Sequence, residues 1–457
     1  MNLFHIAWRN MQQRGLATIL TMLSMALGVC MVVLVLGISW VITESFSRNS
    51  NVGYNLIVGA RGGSLQLTLN AVYYLSQPVG TIPYELFLEF LPGDGRAEEI
   101  HRVGGKIEEP DRKGLYSPYM SGGFAIPVCL GDYFGRFRVV GTTPDFFEKL
   151  QYGEMNDLKY RFASGRNFKD YDAENGYFEA VLGAQCAAER KCQVGDTLKT
   201  THGDPEGDGH GQAFKIVGIL EPTGTPNDRA AFINIEGFYL MEGHARAFEN
   251  PMHPDADKED VGEGGAQLPP RLALEKRDIT AILVRTGNPM FAMNMQTTVK
   301  KSEVAEAASP IFEIGNLFSN FVDPVRYALL AVTTVVCFVS AISILVSIYN
   351  SMNERRRDIA VMRALGARRD VVLFVVLLES LLIACLGGLL GWLAGHSLGA
   401  VASSMIEYRS GVRVTFVNTI TYYELWLIPG LVILATIAGV VPAFVAYQTN
   451  VSKNLGA

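Results

Sequence analysis

Six arginines, Arg355, Arg356, Arg357, Arg363, Arg368 and Arg369, fall within residues 350–370, with only Glu354, Asp358 and Asp370 as counter-charges. Uninterrupted apolar runs, 327–349 and 371–398, flank the segment on either side. A basic loop between two such runs belongs on the cytoplasmic side of a membrane, and it fixes the orientation of both neighbours. Its middle has helical periodicity, with Ile359, Met362 and Leu365 at i, i+3 and i+6 and Gly366 placed to cap the turn. Two readings stand on these residues alone. One is a short rigid helix presented to a cytosolic partner; the other is a solvated loop that only sets topology.

Other residues invite chemistry and supply less of it. Glu379 lies nine residues after Asp370, about 13 Å along a helix at 1.5 Å per residue, where an acid is expensive and functional by default. A structural pairing, with an arginine of the basic loop as partner, is favoured over a proton relay. His202 and His210 flank a Gly- and Asp-rich turn, and His244 and His253 lie near Asp255 and Asp257. None of these has the Cys/His spacing of a zinc site, so solvated turns are expected and no metal. Of the six cysteines, Cys30, Cys337 and Cys385 fall in apolar runs and Cys129, Cys186 and Cys192 do not. A Cys186 to Cys192 bridge is open, with free thiols the favoured reading.

The positioning elements are apolar. Runs 16–43, 327–349, 371–398 and 425–448 each exceed the roughly 20 residues that cross a bilayer core. Arg9 and Arg14 precede the first run and no acid appears before Glu44, which places the N-terminus, the basic loop and Lys453 on one side. Residues 44–326 then lie outside. They carry 28 Lys and Arg against 39 Asp and Glu, a net of −11, while the remainder is +5; an acidic outer domain argues against nucleic acid as a partner. Leu27-Gly28-Val29-Cys30 has the look of a lipoprotein cleavage site, but Val29 is a poor fit and the apolar run continues about a dozen residues further, past a signal core of 7 to 15. The run reads as a retained anchor. Residues 1–15, with Phe4, Ile6, Trp8 and Met11 among Arg9 and Arg14, suit an interfacial helix.

The outer segment of about 280 residues reads as mixed α/β. Strand-like pieces recur at 54–58, 137–141, 180–183, 214–220, 231–235 and 280–284, with helical stretches at 144–150 and 294–308. Residues 244–270 read as a long solvated loop. In the third apolar run Gly387, Gly391, Gly395 and Gly399 recur at i, i+4. Such a ladder strips side chains from one stripe and admits a close neighbour helix, from the same chain or a second copy.

In layout and motifs the chain resembles the permease subunits of MacB/FtsX/LolC-type ABC transporters. One span, a large extracytoplasmic domain and three further spans follow in that family's order. Glu354-Arg355, Arg357-Asp358-Ile359 and Ala364-Leu365-Gly366-Ala367 resemble its coupling helix. Val140-Gly-Thr-Thr-Pro-Asp-Phe-Phe147, Ser164-Gly-Arg-Asn-Phe168, Val181-Leu-Gly-Ala184, Val194-Gly-Asp-Thr-Leu198 and Phe214-Lys-Ile-Val-Gly-Ile-Leu-Glu-Pro-Thr-Gly-Thr-Pro226 resemble successive blocks of its periplasmic domain. Residues 59–136 and 244–270 depart from the common pattern.

The resemblance implies an α-helical membrane protein with four transmembrane helices, one and then three, and a large mixed α/β extracytoplasmic domain inserted between helices 1 and 2. The expected divisions are an interfacial helix 1–15, spans 16–43, 327–349, 371–398 and 425–448, a MacB-like periplasmic domain 44–326, a coupling loop 350–370, a periplasmic loop 399–424 and a cytoplasmic tail 449–457. It further implies a multi-pass protein of the bacterial inner membrane, paired with a second copy or a paralogue and served by a cytoplasmic ABC ATPase dimer. A periplasmic adaptor or lipoprotein is a further candidate partner. The sequence has no Gly-x-x-x-x-Gly-Lys-[Ser/Thr] loop, so ATP and Mg are expected on the ATPase, with no cofactor in this chain and no catalytic residue. The coupling residues would be Glu354, Arg355, Arg357, Ile359, Met362, Arg363, Leu365 and Gly366. By resemblance the function is mechanotransmission for export or extraction of a lipoprotein, lipid, peptide or drug. An FtsX-like scaffold that regulates a cell-wall hydrolase without transport is the alternative, and the size of the outer domain favours the first. A membrane-bound hydrolase is not favoured, since His-Glu-x-x-His is absent.

Overall fold

The computed structural model describes residues 3–49, 53–104, 107, 109–153, 157–202, 209–241, 271–354, 368–410 and 422–448. Contacts divide the chain into two units, Met1–Ser45 with Phe318–Ala457, and Phe46–Leu317.

The first unit is helical. A short helix, Leu3–Gln13, turns at Arg14 into the first long helix, Gly15–Asn49; the second is Asp323–Glu354, the third Arg369–Ser410, and the fourth, Leu427–Gln448, follows a 3-10 turn, Tyr422–Trp426. Four stretches, Gly15–Thr43, Pro310–Met352, Arg369–Ala402 and Glu424–Val445, are long and apolar enough to cross a membrane. Leu16, Leu27, Val335, Phe338 and Ile437 each leave more than half their surface exposed. Such surface is insoluble in water and at home in lipid, where a helix satisfies its own backbone. The interior is drier and smaller in scale, with Met25, Val29, Val33, Ile344, Ile383, Ala384, Ala435 and Ala438 packed together.

These helices outrun the apolar runs that announce them. Asp323 and Arg326, which bound the second run, form an i, i+3 ion pair at 3.0 Å on the helix itself. A π-helical turn, Phe318–Val322, precedes that helix. Charge ends an apolar run without ending a hydrogen-bond ladder.

The second unit is a sheet with helices on its surface. Its strands are β1 (Leu56–Gly59), β2 (Ile82–Pro83), β3 (Phe124–Phe134), β4 (Phe137–Thr142), β5 (Gln151–Tyr152), β6 (Leu158–Lys159), β7 (Phe162–Gly165), β8 (Glu179–Leu182), β9 (Thr197–His202), β10 (Gly209–Leu220), β11 (Ala230–Asn234), β12 (Asp278–Ile279), β13 (Ala281–Arg285) and β14 (Glu306–Ala308). The main sheet runs β14-β1-β13-β3-β4-β11-β8-β10-β7. Two pairs, β4 with β11 and β8 with β10, are parallel. Strand β9 bonds to both β10 and β3, which closes β3, β4, β11, β8, β10 and β9 into a ring and leaves those strands no free edge. Strands β1, β8 and β11 are buried at every position, so they read as apolar runs rather than as alternating patterns. At the end of β7 Gly165 takes φ 75°, and a side chain there would strike the Val217 carbonyl of β10.

Residues 294–308 are not one helix. The helix is Pro289–Lys301, which ends where the Ser302 N–H bonds the Val299 carbonyl at 2.9 Å, and Glu306–Ala308 is β14, paired with β1. Ala305, Ala307 and Ala308 are fully buried. Alanine favours a helix locally, but here its small size fits a strand pressed beneath its neighbours.

Candidate functional site in the membrane helices

The glycine ladder of the third helix faces the first. A methyl group at Gly387 would sit 2.8 Å from the Met22 carbonyl oxygen, one at Gly391 2.9 Å from Val29 Cβ and against the Ala26 carbonyl, and one at Gly395 2.8 Å from Val33. Gly399 has nothing within 4 Å of that position. Gly388, on the adjoining stripe, meets Leu431 of the fourth helix at 2.5 Å. The third helix is thus approached on two sides, and on the ladder side its neighbour belongs to the same chain. Removing side chains brings backbones close enough for dispersion to hold them in the absence of a hydrophobic drive.

Two polar clusters interrupt this apolar packing. At the first, Arg14 Nη1 donates to Glu379 Oε1 at 3.2 Å, while Nη2 donates to the Ser347 carbonyl and, at 3.1 Å, to Ser347 Oγ. The Arg14 and Glu379 side chains are 10% and 5% exposed. The acid is therefore paired, with the arginine at the head of the first helix as one partner; Arg355, Arg356, Arg357 and Arg363 of the basic loop lie outside the described residues. Sequence proximity pointed to the loop; the fold of Leu3–Gln13 against the third helix brings Arg14 to the same acid. At the second cluster, Trp392 Nε1 donates to Glu424 Oε2 at 2.8 Å, and His396 Nε2 lies 3.0 Å from the same oxygen. The indole and imidazole rings meet edge-on at 4.7 Å. All that marks the cluster in sequence is Trp392 and His396 at i, i+4, and its acid stands 28 residues further on.

Arg355, Arg357, Ile359, Met362, Arg363, Leu365 and Gly366 lie outside the described residues. Glu354 ends the second helix and Arg369 opens the third.

In the sheet unit the polar residues mostly build structure. Glu236, 1% exposed, accepts from Arg277 Nη1 at 3.0 Å and Nη2 at 2.7 Å, and Arg277 lies over the rings of Tyr239 and Tyr84, at 5.0 and 5.5 Å. Arg102 joins Glu99, Asp170 and Glu236, and Arg271 joins Asp170 at 2.7 Å. Burial pulls the Arg277 guanidinium down, but the bonds and charge of Glu236 outweigh it and the group ends above its ordinary value. Tyr73 and Tyr116 are buried, and Tyr74 donates to Asn227 Oδ1 at 2.8 Å, so these tyrosines are core members. His202 Nδ1 lies 3.2 Å from the buried Asp132. No metal-holding cluster occurs among the described residues, and His244 and His253 fall outside them. All six cysteines are free. Burial pushes the Cys129 thiol up to about 12, which keeps it inert at neutral pH.

Residues 18–261 match the model of the MacB-like periplasmic core domain, and residues 330–451 match that of the FtsX-like permease C-terminal domain. The chain is 22% identical over 330 residues to an uncharacterized ABC transporter permease of Methanocaldococcus jannaschii, covering 71% of this chain and 72% of the relative. It is 22% identical over 400 residues to an uncharacterized ABC transporter permease of Bacillus subtilis, with 86% of each covered. With a macrolide export ATP-binding/permease protein of Nitrobacter winogradskyi it shares 24% identity over 318 residues, which is 67% of this chain and 41% of that relative.

Proposed function

Because the chain belongs to the ABC transporter permeases that carry a MacB-like periplasmic core domain and an FtsX-like C-terminal domain, we propose that it is the force-transmitting subunit of such a transporter. ATP and Mg are bound by a separate cytoplasmic ATPase dimer, and two permeases, identical or paralogous, complete the assembly in the inner membrane of a bacterium with the large domain in the periplasm. The chain itself is not an enzyme. The cargo is a lipoprotein, lipid, peptide or drug already outside the cytoplasm, moved by conformational change of the outer domain.

The observation that carries this reading is helical continuity. The first span is helical throughout Gly15–Thr43, 29 residues, and the second lies in a helix of 32 residues, Asp323–Glu354, about 48 Å long at 1.5 Å per residue. Rods of that length relay displacement without an aqueous pore. In the basic segment Ile359, Met362 and Leu365 insert into a groove of the ATPase, and Arg355, Arg357 and Arg363 meet its acidic rim beside Glu354 and Gly366.

Purification from membranes in mild detergent should recover an ATP-hydrolysing companion. The double variant Met362→Asp with Leu365→Asp should still insert, yet lose the chain's effect on hydrolysis. Unchanged stimulation in that variant would rule out docking, and labelling of residues 350–370 from outside intact cells would rule out the topology. Movement of a lipid or lipoprotein in reconstituted vesicles separates transport from the alternative, an FtsX-like regulator of a cell-wall hydrolase.

A further inference from the structure

The glycine groove and the Arg14 cluster hold the same two helices in different ways. Against Gly387, Gly391 and Gly395 the first helix presents backbone and the bases of Met25, Val29 and Val33. Such contact resists separation, because dispersion falls steeply with distance, but it is non-directional and resists sliding along the groove less than a directional hydrogen bond does. Directional hydrogen bonds behave in the opposite way. Arg14 sits at the joint between Leu3–Gln13 and Gly15–Asn49 and bonds Glu379 of the third helix together with the carbonyl and hydroxyl of Ser347 on the second. Ser347 lies seven residues before the second helix ends at Glu354, and Glu379 ten residues after the third begins at Arg369. One guanidinium thus bonds both helices that flank the basic segment, and it stands at the head of the helix that forms the first span.

We infer that Arg14 is a register pin: it fixes the axial position of the first helix against the second and third, so that a push on the basic segment moves all three together. The glycine groove sets their spacing, and the pin sets their phase. The inference rests on the force-transmitting reading for its purpose, while the register itself is measurable without any ATPase.

The full chain, with its six cysteines replaced, is labelled with nitroxides at Leu20→Cys and Leu389→Cys, two exposed positions on the first and third helices, and placed in lipid nanodiscs diluted with unlabelled chain. The parent should give one narrow distance distribution. Arg14→Met and Glu379→Gln should each broaden it or shift it by up to about one helical turn, 5.4 Å, and Arg14→Lys, which keeps the charge, should restore much of the sharpness. A distribution unchanged in both Arg14→Met and Glu379→Gln overturns the pin.

With the recovered ATPase, Glu379→Gln should hydrolyse ATP near the parent rate while the ATP-dependent change in tryptic cleavage of the outer domain falls about fivefold or more. If hydrolysis and cleavage response fall together, or neither falls, the residue has only a structural role and the inference fails. Absence of any ATPase defeats the proposed function and leaves the register measurement to decide the pin.

Discussion

The two units of this chain are stabilised by opposite means. The sheet unit closes a ring of strands over a core that admits charge: Arg277 and Glu236 are 0% and 1% exposed and bond to each other twice. The helical unit admits little charge and gains its cohesion from what it leaves out, the side chains of Gly387, Gly391 and Gly395. The solvent of the unfolded reference explains the difference. A chain unfolding into water is opposed by exposure of apolar groups, so the sheet unit can offset the burial of an ion pair. Helices separating in lipid expose only apolar groups to apolar groups, so close packing and a few polar links must serve. A charge deletion should therefore injure the sheet unit most, and an added side chain the helical unit.

The largest effect should come from Glu236→Ala, which strands a fully buried guanidinium; about 3–5 kcal/mol of stability should be lost. Thermal unfolding of the purified full chain, followed by tryptic access to the sheet unit, measures it. A loss no greater than that of an exposed Glu→Ala change would break the comparison from one side.

Gly391→Leu tests the other side, since the obstruction is backbone of the first helix and cannot rotate away. Overpacking of that kind costs about 1–3 kcal/mol. Gly399→Leu, with open space, should fall within about 0.5 kcal/mol. Thermal aggregation of the two variants in detergent would sharpen the contrast, and equal behaviour would mean that the ladder is not a contact.

Carboxylates of the sheet unit should make its stability pH-dependent. Bonds from Lys169 and from the Glu174 and Asn175 amides bring Asp172 down to about 2. Burial pushes Glu179 upward, but bonds from Arg166, the Lys169 amide and Asn175 more than reverse it, and the group ends below its ordinary value. The unfolded chain protonates both at higher pH than the folded one. The stability they add is thus complete above the ordinary carboxylate range and disappears as pH falls through their folded values, toward 2 for Asp172. Glu179→Gln should cost about 1.5–3 kcal/mol near neutrality and flatten the acid limb of an unfolding-versus-pH curve. An unaltered limb would show that these bonds do not form in solution.

A smaller effect should be that of Trp392→Phe, which removes one donor from Glu424 and should lower stability by about 1 kcal/mol. Tryptic cleavage of residues 411–421 in the variant provides the readout, with no acceleration expected if Glu424 does not hold the adjoining turn.

Much of the architecture was legible before any coordinate. Four apolar runs stood out because lipid demands about 20 residues in succession, and β1, β8 and β11 because burial on both faces removes alternation. The ends of elements were hidden: Asp323 and Arg326 closed an apolar run but not a helix, and alanines at 305, 307 and 308 had helical propensity yet serve in and before β14. The polar clusters were half legible. Glu379 was conspicuous in an apolar run, but its partner lay 365 residues away, and Glu424 was inconspicuous beside the polar residues that precede the fourth run.

By itself the sequence determined which segments are long and apolar enough to cross a membrane and which stripe of the third helix would admit a neighbour. These follow from transfer energies and periodicity, both of which act over one or two turns of chain. Only the tertiary structure decided that the neighbour is the chain's own first helix, that Arg14 meets Glu379, and that β9 closes a ring. Each of those depends on which distant residues come within a few ångströms of one another, and pairing at that range is set by the packing of whole elements, about which local composition says nothing.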